Sequence, residues 1–80
     1  MPEPLSDATR ILGERIRTKR NELGLSQERF ALESGIHWTY VGQVERGQKN
    51  LSLHSLLRLA EALGVTPESL VKGLHAPTPA

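Results

Sequence analysis

At 80 residues, with a formal net charge of +1 and no cysteine, the chain has room for one domain and excludes both a disulfide framework and any thiolate metal or nucleophile scheme. No apolar run approaches the roughly 20 residues that cross a bilayer, and residues 1–8 lack the charged and apolar regions of a signal peptide, so a cytoplasmic protein without membrane association is expected. The small net charge conceals a local excess: Arg10, Arg15, Arg17, Lys19 and Arg20 are opposed only by Glu14, a pattern that fits a solvated helix face or a nucleic-acid footprint equally well.

Gly24, Gly35, Gly47, Gly64 and Gly73 each follow a stretch with helical patterning, and four of them precede an apolar residue (Leu25, Ile36, Val65, Leu74), as at a helix end where the next side chain folds back. An all-α domain of five helices is expected, and no strand pattern competes. The first helix spans residues 8–23, with Leu12, Ile16 and Leu23 on one face. The second covers 27–34 behind Ser26 as N-cap, and the third 38–46. The fourth covers 53–63 behind Ser52, and the fifth 67–72 behind Thr66, with Pro67 in the first turn. The domain thus runs over 7–74 between flexible, proline-bearing ends at 1–6 and 75–80. Its core should gather Leu12, Ile16, Leu23, Leu25, Phe30, Ala31, Ile36, Val41, Val44, Leu56, Leu59, Ala60, Leu63, Val65 and Leu70.

Residues 25–47 have the spacing of a helix-turn-helix. Phe30 and Ala31 lie on the inner face of helix two, Gly35 permits the turn, Ile36 plugs the bend, and Val41 and Val44 hold helix three down. The outward face then carries His37, Trp38, Thr39, Gly42, Gln43 and Arg46, rich in hydrogen-bonding groups and poor in acids. Double-stranded DNA, met in the major groove, is the expected partner. Thr39 and Gln43, one turn apart, are the leading base readers: Gln43 suits adenine, and Thr39 offers a hydroxyl and a methyl. His37 and Trp38, at the leading end of helix three, join them as base-readout candidates, although the indole serves equally as a cover for the turn. Ser26 is first an N-cap; with Gln27 it also opens a helix whose free amides can meet a phosphate. Tyr40 donates to a phosphate or packs at the core edge. Arg46, Lys49 and Asn50, running into the following loop, are further phosphate candidates. Gly42, inside a helix, marks either a place of close approach or a tolerant position.

The segments RIRTKRNELGLSQERFA, SGI, VERGQKNLSL and LLRLAEALGVTPESLV resemble the Cro and repressor-type (xenobiotic-response-element) helix-turn-helix family over roughly residues 12–74. Within it, HWTYVGQVERGQKNLS is similar to the stand-alone controller proteins of restriction-modification systems, which often carry a basic residue where this chain has Trp38. The resemblance implies a compact repressor-like fold and a sequence-specific transcriptional regulator acting as a homodimer on a near-palindromic operator. It also implies an Arg20–Glu45 ion pair joining helix one to the end of helix three, exposed and presenting Arg20 near a phosphate, and a phosphate contact for Gln27. The homodimer would place two recognition helices about 34 Å apart.

Leu51, Leu70, Val71 and Leu74 are the expected dimer interface, unless they only seal the monomer core. The same patch suits the alternative reading, an antitoxin or adaptor that grips another protein. His37, His54 and His75 lack metal-site spacing, and no nucleophile elbow or phosphate-cradling loop is present, so no metal, cofactor or enzymatic activity is expected. With no residues left over for a sensing domain, DNA occupancy should follow protein concentration, dimerisation or a partner, without a small-molecule ligand.

Overall fold

The computed structural model describes residues 3–79; Met1, Pro2 and Ala80, assigned above to the terminal segments, lie outside the described residues. Five helices follow in chain order: α1 Asp7–Glu22, α2 Gln27–Ser34, α3 Trp38–Glu45, α4 Leu53–Leu63 and α5 Pro67–Val71, with no strand among the described residues. Each helix begins where a side chain can take up orphan amides. Ser26, Ser52 and Thr66 accept the amides of Arg29, Ser55 and Ser69, respectively. Ser6 does the same for α1 within a reciprocal box, its Oγ accepting from the Thr9 amide and its own amide donating to Thr9 Oγ1, both at 3.1 Å. That box starts α1 one residue before the expected boundary, and the Leu5 amide donates to the Gly47 carbonyl at 2.9 Å, laying the chain before α1 against the exit of α3.

The core is built from Ile16, Phe30, Ala31, Val41, Val44, Leu59, Ala60, Leu63 and Leu70, all expected from the sequence, with Leu12, Leu25, Ile36, Leu56 and Val65 packed half-buried around them. Leu23 departs from the expectation, being 46% exposed. Its spacing from Ile16 is correct for the inner face, but Leu23 is the C-cap, one residue beyond the last helical residue Glu22, so it lies past the part of α1 that packs on the core.

The turn between α2 and α3 depends on Gly35, whose φ of 71° is left-handed; there the amides of Gly35 and Ile36 both donate to the Ala31 carbonyl, at 3.0 and 3.2 Å. A side chain at that φ would cost about 1–2 kcal/mol. Gly13 acts through its size: a Cβ there would stand 2.7 Å from the Glu45 carbonyl oxygen and 2.9 Å from its carbon, so α1 crosses directly on the end of α3. At the opposite side of α1, Arg15 Nη1 donates to the carbonyls of Leu70 at 3.0 Å and Lys72 at 2.8 Å. One arginine therefore ties down the carboxyl end of the five-residue α5. None of the helices is long and apolar enough to cross a membrane.

Candidate nucleic-acid interface

Because α1 covers the carboxyl end of α3, the opposite end of α3 is left standing outward. His37, Trp38 and Thr39 are exposed there, Trp38 by 53%, with Gln43 half-buried one turn further on. His37 is the N-cap of α3, its Nδ1 accepting from the Thr39 amide at 3.1 Å. An accepting Nδ1 leaves the proton of a neutral imidazole on Nε2, so the ring offers an N–H donor to a partner. This cap was not foreseen, because histidine is outside the usual Ser/Thr/Asp/Asn set.

Behind the exposed strip lies a buried polar network. Arg20 Nε donates to Glu45 Oε2 at 2.6 Å, Arg20 Nη2 to Glu45 Oε1 at 3.0 Å, and Arg20 Nη1 to the Leu25 carbonyl at 2.8 Å. The two side chains are only 10% and 2% exposed, which corrects the expectation of a surface pair. The burial follows from the crossing at Gly13, which brings α1 down on the turn that carries Glu45. The expected phosphate contact of Arg20 is corrected for the same reason: its guanidinium is enclosed and bonded inside the protein, where it positions α3. Gln27 completes the network by donating its Nε2 to Glu45 Oε1 at 3.0 Å, a bond across 18 residues of sequence that no local spacing signals.

Gln27, Trp38, Thr39, Gly42 and Arg46 meet around one open recess of about 230 Å³. All five were expected at a DNA face, and Gly42 leaves the floor of the recess without a side chain. Lys49 and Tyr40 are brought together, the Lys49 ammonium 5.9 Å from the Tyr40 ring centroid. Ser26 is exposed at the start of α2 with its hydroxyl engaged as the cap. Asn50 lies apart: it lines a second groove, of about 200 Å³, with Leu12, Leu51, Leu56, Val71 and Leu74. Leu70 is absent from that groove because it is 3% exposed and belongs to the core, so its place among the expected interface residues is corrected. Among the described residues, no three His, Asp or Glu side chains gather to hold a metal.

The family described as helix-turn-helix matches residues 16–70. The control protein C.SmaI of Serratia marcescens is 45% identical over 65 residues, covering 81% of this chain and 77% of that protein. Among solved structures, the restriction-modification controller protein C.AhdI of Aeromonas hydrophila shares 48% identity with a TM-score of 0.76, over 78% of this chain and 94% of that one. The P22 c2 repressor, solved with a synthetic operator, shares 33% identity with a TM-score of 0.74, over 79% of this chain and 96% of that one. The chain therefore belongs to the Cro/repressor-type helix-turn-helix family of DNA-binding transcription regulators, and it is similar in sequence and fold to restriction-modification controller proteins.

Proposed function

We propose that the protein is a stand-alone controller-type regulator that binds a near-palindromic operator as a homodimer, with α3 of each subunit in the major groove. The observation that carries this reading is the exposed leading end of α3, whose carboxyl end is held by the Arg20–Glu45–Gln27 network, edged by hydrogen-bonding groups and the cation Arg46 with no acid among them. In this reading Thr39 and Gln43 read base edges, His37 contributes its Nε2 donor toward an acceptor such as guanine O6 or N7, and Trp38 lies over the sugars or thymine methyl groups. The free amides at the start of α2, with Ser26 and Gln27, and the cations Arg46 and Lys49 meet the backbone, Tyr40 adding a hydroxyl. Subunits meet through the groove that holds Leu51, Val71 and Leu74, where Val71 is 38% exposed.

The test is selection from a randomized duplex pool, followed by titration of the winning site and a scrambled duplex at several salt concentrations, with sedimentation to follow the oligomer. Specific binding should persist at salt that abolishes the scrambled complex, and it should be cooperative with dimer formation. Equal affinity for the two duplexes would overturn the proposal in favour of an adaptor or antitoxin that grips another protein.

A further inference from the structure

Gly42 lies in the middle of α3, where a glycine lowers helix stability relative to alanine. It is buried although it belongs to the outward strip, and what covers it is side chain, not backbone. A Cβ built at Gly42 would stand 3.2 Å from Arg46 Nη1, 3.9 Å from Arg46 Cζ and 3.8 Å from Gln27 Oε1. Arg46, one turn further along, thus lays its guanidinium back over the helix, while its Nε donates to Gln48 Oε1 at 3.3 Å. The planar fork is held between Gln48 and the bare backbone of residue 42, next to Gln27 and at the wall of the recess.

We infer that Gly42 is a positioning residue for DNA binding: by leaving the floor of the recess without a side chain, it lets the Arg46 guanidinium lie low beside Gln27, where it meets a backbone phosphate. This rests on the DNA-binding reading above. A methyl group at 42 would press only on the ends of two flexible side chains, so the fold can accept it and gains the better helix former. The guanidinium must then rise by some tenths of an ångström and turn away from Gln27. Stability and DNA affinity are set in opposition at this one position.

The test compares the wild type with Gly42→Ala, Arg46→Ala and the double variant, reading thermal midpoint and affinity for the selected duplex. G42A should raise the midpoint by about 4–8 °C while weakening binding roughly three- to tenfold. In the R46A background the second substitution should leave affinity within about twofold, because the group through which it acts is gone. If G42A binds as the wild type does, or weakens binding equally with and without Arg46, this inference is overturned alone. A lowered midpoint overturns it too, since the space would then serve the fold. A wild type that selects no duplex overturns the DNA-binding reading itself and takes this inference with it.

Discussion

Replacing Glu45 by glutamine tests how far the buried network holds the interface in place. The shape is nearly conserved, but the Arg20 guanidinium, with a side chain 10% exposed, loses its counter-charge. Breaking a buried pair from one side costs about 3–5 kcal/mol, because the remaining charge is neither hydrated nor neutralised. An 80-residue domain has on the order of 4–12 kcal/mol of stability, so a large share would go. Since 1 kcal/mol shifts the midpoint of a domain this size by about 4–8 °C, the expected fall is on the order of 12–40 °C. The assay is thermal unfolding followed by circular dichroism, with DNA titration well below the new midpoint.

Gln27 separates positioning from stability in the same experiment. A double variant, Arg20→Met with Glu45→Leu, removes both charges and should recover most of the lost stability, as apolar replacements of buried pairs often do. It cannot restore the Glu45 Oε1 acceptor to which Gln27 Nε2 donates at 3.0 Å, so DNA affinity should stay reduced about tenfold even where the fold is restored. A midpoint for E45Q within about 4 °C of wild type, or full DNA affinity in the double variant, would refute the reasoning.

Gly13→Ala should destabilise by about 3 kcal/mol or more, since its methyl would meet the carbonyl group of Glu45 and overpacking against backbone finds little relief; chemical denaturation measures it. Arg15→Ala should cost about 1–2 kcal/mol by removing two charge-assisted bonds to the Leu70 and Lys72 carbonyls. By freeing the end of α5 it should also weaken self-association, read by sedimentation, while leaving the affinity of DNA-bound dimers for each operator base unchanged. Lys49→Ala should lower affinity for all duplexes alike and reduce the slope of log affinity against log salt by about one for each phosphate it leaves unneutralised. Gln43→Ala should cost about 1–3 kcal/mol on the selected site and relax preference at one position, which a repeat of the duplex selection would reveal.

Most of the scaffold was legible in the sequence because it is local. Serine and threonine caps, left-handed glycines and apolar residues three and four apart act over a turn or two, and they placed α2 and α4 at their observed ends. The box at Ser6 was equally local, a serine followed three residues later by Thr9, but it uses threonine where a carboxylate or amide is usual. What stayed hidden depends on tertiary crossing. Leu23 keeps the helical spacing from Ile16 and is still exposed, because periodicity does not record whether the end of a helix is packed against anything. The reach of Arg15 to α5 spans 55 residues of sequence, and the enclosure of Arg20 and Glu45 and the turn of Gln27 toward that pair follow from how closely α1 lies on α3. That distance is fixed by the absence of a side chain at Gly13, a feature with no pattern of its own.

The basic run of α1 shows how the same charges change meaning once the fold is known. Read along the chain, it suggests a face offered to nucleic acid. In the fold, Arg10 pairs with Asp7 at 3.6 Å and Glu14 at 3.2 Å, Lys19 with Glu22 at 3.8 Å, and Arg20 with Glu45, while Arg15 is bonded to the end of α5. Arg20 and Arg15 thus join α1 to α3 on one side and to α5 on the other, while Arg10 and Lys19 pair with acids of α1 itself. The cation that lines the recess is Arg46, with Gln27 from α2 and Trp38 and Thr39 from α3 as neutral donors, while Lys49 stands over the Tyr40 ring. Such a face draws less on counterion release than a basic stripe does and more on hydrogen bonds that must fit, which is the balance a site needs to tell one duplex from another. A net charge of +1 is therefore compatible with the proposed DNA-binding role, in which selectivity depends on where α3 is held and not on how many cations surround it.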